Sequence, residues 1–201
     1  FDEMANVESL KLPKYLKKIL KDGDGSSTSQ TLSKLTSLNS FESNNEGNMF
    51  YAFDGALYAG KKIISYPQQK TGDYEIKDGT TAADELAFMN ANIGTLTIPD
   101  GFAVDNQKVD SNGREYYRYT FLSAEIDQFE GYNCKDSSLF SDNGKRLIAY
   151  GKNSNADLSG ITSANPYAFR TEEQLESVKE NCNMPESVIK TVPFSFYSGE
   201  S

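Results

Sequence analysis

Internal repetition is the sequence feature that most constrains how this chain of 201 residues can fold. Segment 79–88 aligns without gaps with segment 160–169, and five of the ten positions are identical. Three further segments share the order apolar, any, apolar, proline, any, any, apolar, and they are 10–16, 96–102 and 182–188. Because the matches keep one order along the chain, we predict that roughly 38–102 and 126–188 are two copies of one unit.

The proline-containing pattern predicts a short strand followed by a turn. Alternate side chains of a strand point to opposite faces, so Leu96 and Ile98 share one face. Thr95 and Thr97 then lie on the other face, while Pro99, which has no amide hydrogen, should end the strand and begin the turn. A unit of this size cannot bury its own apolar face, so stacking of successive units into a solenoid is expected.

The stretch 53–102 carries a resemblance to a known family. It contains, in order, Phe-Asp-Gly-Ala-Leu-Tyr at 53–58, Lys-Lys-Ile-Ile-Ser-Tyr-Pro at 61–67, Tyr-Glu-Ile-Lys-Asp-Gly at 74–79, Ala-Phe at 87–88 and Leu-Thr-Ile-Pro at 96–99. This order resembles the BspA-type leucine-rich repeat, and 1–20 and 120–197 are similar to more degenerate copies. The resemblance implies a single β-dominated α/β leucine-rich-repeat solenoid over 1–201. Such a solenoid is a right-handed superhelix with a parallel sheet on one face and loops or short helical turns on the other.

The first residues fit the interior of a repeat. Val7 aligns with Ile93, and Phe1 aligns roughly with Phe88. Because the ends of a solenoid need capping to stay soluble, we expect this chain to be a fragment that lacks upstream repeats or a cap.

One helix and the state of both cysteines are also predicted. The sequence Thr171-Glu-Glu-Gln174 has the form of a capping box, and Leu175, Val178 and Cys182 would share a face of the helix that follows. Cys134 and Cys182 lie 48 residues apart without metal-binding spacing. Two free thiols are therefore favoured, and a disulfide stays open as the alternative.

The net charge and the residue composition exclude several classes of function. The chain has 29 acidic and 20 basic residues, and this net charge of −9 opposes binding to nucleic-acid phosphates. The absence of histidine removes serine–histidine and cysteine–histidine catalysis together with histidine metal sites. No run of about 18 apolar residues is present, so no transmembrane segment is expected. We therefore expect no enzymatic activity, no cofactor, no metal site and no nucleic-acid partner.

Candidate ligand-binding residues come from two places in the chain. The outward strand positions are Glu8, Lys11, Thr95 and Thr97. The Tyr/Arg cluster consists of Arg114, Tyr116, Tyr117 and Arg118. Tyrosine and arginine are enriched at the energetic centres of protein interfaces. A strand whose Tyr117 and Tyr119 pack on the core, with both arginines solvated, fits the same alternation and is the simpler interpretation.

The resemblance implies a bacterial protein that is extracellular or on the cell surface, and often an adhesin. We expect a non-enzymatic module that recognises a host extracellular protein or another cell-surface protein through its solenoid face or loops. One alternative is a carbohydrate-binding component of a surface polysaccharide system, which the 12 tyrosines would suit. Another alternative is a passive spacer domain.

Overall fold

The computed structural model describes residues 6–19, 28–43, 48–103, 108–109, 115–116 and 119–190. Strands dominate these ranges, as predicted, and helices are few. The strands are β1 (Ser9–Lys11), β2 (Ser40–Glu42), β3 (Phe50–Phe53), β4 (Ala56–Ala59), β5 (Lys62–Ser65), β6 (Tyr74–Glu75), β7 (Ala82–Ala83), β8 (Asn92–Ile98), β9 (Lys108–Val109), β10 (Glu115–Tyr116), β11 (Glu125–Gly131), β12 (Cys134–Lys135), β13 (Ser138–Phe140), β14 (Arg146–Ala149) and β15 (Ser163–Ala164). The helices are α1 (Thr28–Leu32), α2 (Glu172–Asn181) and α3 (Glu186–Ile189).

Two parallel sheets contain the strands of the first two proline patterns, 10–16 and 96–102. β8 is the central strand of a three-stranded sheet and pairs in parallel with β6 and β11. The side chains of Ile93, Leu96 and Ile98 on β8 are buried, as the alternation of Leu96 and Ile98 predicts. A separate parallel pair joins β1 with β2.

Two mixed sheets of four strands have the same topology. In β3-β4-β5-β7 the first two pairings are antiparallel and the last is parallel. In β12-β13-β14-β15 the pairings follow the same order. In each sheet the register shifts within the second pairing, which is β4 with β5 in one sheet and β13 with β14 in the other. The two sheets therefore also match in this local irregularity.

Backbone hydrogen bonds repeat at matching sequence positions. Asp84 N donates to Ile63 O, and Asn165 N donates to Leu147 O, each over 2.8 Å. All three proline patterns also form the same turn, in which the backbone amide of the last apolar residue donates to the carbonyl of the proline. These bonds are Leu16 to Pro13 (3.2 Å), Phe102 to Pro99 (3.3 Å) and Val188 to Pro185 (2.9 Å). The pattern therefore specifies the turn wherever it occurs, but a strand only at 10–16 and 96–102. The strand expected at 182–188 does not form, because Cys182 is the C-cap of α2 and α3 begins at Glu186.

The core divides into three apolar clusters, and aromatic rings fill the largest. Tyr66 stands edge-on to Tyr74 and is stacked with Phe88, at centroid distances of 4.9 and 5.7 Å. Each ring buries a large apolar area, and such offset or edge-on pairs add to the stabilisation. This cluster lies beneath the three-stranded parallel sheet and holds its inward side chains, including Leu96.

The predicted helix and the predicted free thiols are both confirmed. Thr171 is the N-cap of α2, and its Oγ1 accepts a 3.1 Å hydrogen bond from Gln174 N. Leu175, Val178 and Cys182 are buried on the face that packs against the smaller C-terminal cluster. Both cysteines are free; Cys182 is buried and Cys134 is half-buried. In the described part of the chain, no helix has the length and apolarity required to cross a membrane.

Candidate binding face

The three-stranded parallel sheet turns a set of polar side chains outward. The buried side chains of Tyr74, Leu96 and Phe129 lie opposite one another in register and mark its inward side. Residues that flank these positions point outward, because side chains alternate along a strand. We call this outward surface the acidic face, and its residues are Asp73, Glu75, Thr95, Thr97, Gln128 and Glu130.

One row of the acidic face carries two uncompensated carboxylates. Thr97 lies opposite Glu75 on β6 and opposite Glu130 on β11, so the threonine separates the two glutamates. Both glutamates are exposed. Among the described residues, neither forms an ion pair with a lysine or arginine. With strands about 5 Å apart, the row concentrates negative charge within about 10 Å.

The neighbouring row is held in place by side-chain hydrogen bonds. Asp73 Oδ1 accepts a bond of 2.8 Å from Thr95 N, and Gln128 Nε2 donates to Thr95 Oγ1 over 2.8 Å. Gln128 Nε2 also lies 3.2 Å from Glu130 Oε1. Gly94 leaves room for the Asp73 carboxylate, because a Cβ there would lie 2.6 Å from Asp73 Oδ1. The row is thereby ordered before any ligand arrives.

The structure places three of the four predicted strand positions on strands of two sheets, whereas Glu8 lies just before β1. Thr95 and Thr97 lie together on β8, where both are half-buried. Glu8 and Lys11 are exposed, but Lys11 is on β1, where it is opposite Glu42. The carbonyl of Glu8 accepts a bond of 2.8 Å from Asn39 N, so this segment belongs to the β1–β2 pair.

Of the predicted Tyr/Arg cluster, Tyr116 lies among the described residues, in the short strand β10. β10 pairs antiparallel with β9, and Tyr116 is opposite Lys108 in the register. Arg114, Tyr117 and Arg118 lie outside the described residues. Tyr119, which directly follows them, is half-buried and stands edge-on to Tyr167 at 5.3 Å.

Several tyrosines serve the core and are absent from the acidic face. Tyr58, Tyr66 and Tyr74 are at most 2% exposed. Burial raises the pKa of Tyr58 from 10.0 to about 12 and also raises the pKa values of Tyr66 and Tyr74. These side chains therefore stay neutral and packed at physiological pH.

A cleft lies beside α2 and is not among the features predicted from the sequence. It has a volume of about 500 Å³ and lies between the start of β11 and the helix. At its mouth, Lys152 Nζ is 2.7 Å from Glu125 Oε1, and Arg170 pairs with the other oxygen of the same carboxylate. The hydrogen bond from Lys152 lowers the pKa of Glu125. The available signal was spacing, since Cys182 lies 13 positions after Phe169, whereas Leu96 lies eight positions after Phe88.

Comparisons with known proteins add no relative. No family model, no curated protein and no solved structure matches this chain. The candidate site therefore rests on the geometry and charge of the chain itself.

Proposed function

We propose that this chain is a leucine-rich-repeat solenoid of the BspA type. Three observations support the proposal: the parallel sheet of β6, β8 and β11, the matching mixed sheets, and the repeated hydrogen bonds after each proline pattern. Stacked units of this kind bury a continuous core and display a broad ordered surface. The right-handed course and the repeat assignment over 1–201 are part of the proposal.

We infer that the chain is a non-enzymatic binding module and that the acidic face recognises a basic surface on an extracellular protein. The observation that carries this inference is the row of Glu75, Thr97 and Glu130, in which two exposed carboxylates form no ion pair among the described residues. Complementary charge across an interface speeds association and fixes register. A partner with lysines or arginines on a flat or convex surface matches this face best.

Binding of a carbohydrate to the same face is the second candidate and is less well supported. Sugar-binding surfaces commonly use exposed aromatic rings as stacking platforms, whereas the six residues of the acidic face include none. The buried tyrosines account for much of the aromatic content that favoured this alternative. A passive spacer would need neither the ordered Thr95 row nor the uncompensated charge.

Placement outside the cell or on a bacterial cell surface belongs to the same proposal. It rests on the resemblance of 53–102 to the BspA-type repeat. A host extracellular protein or a protein on another cell is then the partner that such a module would meet.

A capture experiment tests the proposed function. Immobilised protein is exposed to a mixture of host extracellular proteins and soluble polysaccharides, alongside two variants with the same change in charge. Glu75→Lys with Glu130→Lys alters the acidic face, and Glu180→Lys with Glu186→Lys alters exposed positions on α2 and α3. We expect the wild type and the helix variant to retain one basic protein, and the face variant to lose it. Equal retention by all three proteins removes the site, and retention of a polysaccharide alone favours the second candidate.

A further inference from the structure

Two residues with buried polar side chains line one small cavity. Thr120 is 3% exposed and Asn165 is 5% exposed. Within the described residues, neither Thr120 Oγ1 nor Asn165 Oδ1 has a hydrogen-bond partner. Both residues line a cavity of about 10 Å³, together with Ile148 and Tyr167. A buried polar atom that stays unpaired is costly, so this pair calls for a ligand that can bond to both.

The matching position in the first mixed sheet has the same backbone setting. Asp84 N donates to Ile63 O, as Asn165 N donates to Leu147 O. The carbonyl groups of Asp84 and Asn165 also each accept a bond from the amide three residues later, at 3.3 and 3.0 Å. The two side chains therefore start from equivalent places in their sheets.

At the first position, a neighbouring segment satisfies the side-chain oxygens. Ser29 N on α1 donates to Asp84 Oδ2 over 3.1 Å, and Lys62 Nζ is 3.6 Å from Asp84 Oδ1. The Ser29 hydroxyl oxygen in turn accepts a bond of 3.1 Å from Leu86 N. The backbone amide of Ser29 thus bonds directly to the Asp84 carboxylate.

At the second position, Thr120 and Asn165 line the same small cavity. The backbone of Thr120 is fixed there, because its carbonyl accepts a bond of 2.9 Å from Phe88 N. Both residues line this cavity, and within the described residues the Thr120 hydroxyl group and the Asn165 side-chain oxygen are not hydrogen-bonded to each other. Within the described residues, the Asn165 side-chain oxygen therefore has no bond like the one from Ser29 N to Asp84 Oδ2.

We propose that one water molecule is bound in this cavity and bridges Thr120 Oγ1 and Asn165 Oδ1. The water donates one hydrogen to the asparagine oxygen and exchanges a second hydrogen bond with the threonine hydroxyl. About 10 to 15 Å³ is the room that a single water needs, and the polar walls supply two partners. This water is a fixed part of the fold, and it links the segment before β11 to the second mixed sheet.

A crystal structure at a resolution that places ordered water tests the proposal. The expected result is one density peak within about 3.2 Å of both Thr120 Oγ1 and Asn165 Oδ1. The proposal is overturned if the two side chains bond directly, or if no peak lies between them.

Thermal unfolding of two matched variants provides a second test. Thr120→Val keeps the shape but removes the hydroxyl group, and we expect its Tm to fall by about 2 to 4 °C. Thr120→Ser keeps the hydroxyl group and should retain the bridging density peak. A Thr120→Val protein with the Tm of the wild type and an unchanged density peak would overturn the role assigned to the hydroxyl.

Discussion

Tyr58 and Tyr74 share a hydrogen bond of 2.8 Å between their hydroxyl groups inside the largest core cluster. Tyr58 also accepts a bond of 3.2 Å from Lys77 N, and Tyr74 reaches the carbonyl of Phe53 over 3.4 Å. Buried hydroxyl groups are tolerated only with such partners. At the scale of the residue, the core therefore depends on tyrosines that stay neutral, so ionisation of these side chains at high pH should destabilise the protein.

The stability of the protein should fall as the pH rises above 10. Burial raises the folded pKa of Tyr58 from 10.0 to about 12, whereas the unfolded side chain keeps its ordinary pKa. The stabilisation by the neutral group is complete below pH 10 and is lost as the pH rises through about 12. Urea unfolding from pH 8 to 12 should show this loss, which is about 2 to 3 kcal/mol for Tyr58.

Two variants separate this effect from the titration of lysines. Tyr58→Phe should lower stability by about 1 to 2 kcal/mol at pH 8, because it leaves polar partners unpaired, and should then lose less above pH 10. Tyr15→Phe changes a side chain that is 75% exposed and should follow the wild type. A Tyr58→Phe curve parallel to that of the wild type up to pH 12 would contradict the prediction.

Hydrogen bonds and acidic side chains at its N-terminus stabilise helix α2. Thr171 bonds to Gln174 N, and Gln174 Oε1 accepts a bond of 2.9 Å from Arg170 N. These bonds satisfy amides that the helix itself leaves unpaired at its beginning. Glu172 and Glu173 in the first turn also interact favourably with the helix dipole.

Replacing Thr171 by alanine should therefore weaken α2. We expect Thr171→Ala to lower the free energy of unfolding by about 1 kcal/mol, since it removes the N-cap oxygen. Thr171→Ser keeps an oxygen at the same place and should retain most of the stability. Urea unfolding followed by far-ultraviolet circular dichroism measures both variants. Equal stability of the alanine and serine variants would show that the cap contributes nothing.

Gly131 at the end of β11 should tolerate no side chain. Its φ is 96°, and a Cβ there would overlap Ile98 O on the neighbouring strand. Gly72 has a nearly identical φ of 98°, but no atom lies within 4 Å of its would-be Cβ. Thermal unfolding should show a larger loss for Gly131→Ala than for Gly72→Ala, for which backbone strain alone costs about 1 to 3 kcal/mol. A smaller loss at Gly131 would mean that the strands do not approach as described.

Local features of these elements could be predicted from the sequence, and distant contacts could not. The proline turns at 99 and 185, the inward side chains of Leu96 and Ile98, and the cap at Thr171 depend on neighbours a few residues away. The number of tyrosines suits a carbohydrate ligand, but the folded chain buries several of these side chains in the core. The α2 cleft depends on Glu125 meeting Lys152 and Arg170, which are 27 and 45 residues later in the chain. Alternation along one strand carries no information about such contacts.

At the scale of the whole molecule, charge and surface order favour recognition of a cationic partner. The net charge is −9, and the acidic face carries two of the exposed carboxylates, neither of which forms an ion pair among the residues the structure describes. Exposed charges interact over a Debye length of about 8 to 10 Å at physiological salt, so the partner must approach the sheet closely. Binding through this face should therefore weaken as salt is added.

The salt dependence of binding tests this central claim most directly. The protein captured by the wild type is titrated against the wild type, the Glu75→Lys/Glu130→Lys variant and the Glu180→Lys/Glu186→Lys variant at about 50 and 300 mM NaCl, which shortens the Debye length more than twofold. We predict that the wild type and the helix variant lose affinity together as salt rises. The face variant should bind weakly at both salt concentrations. Tight binding by the face variant, with the same salt dependence as the wild type, would contradict the account.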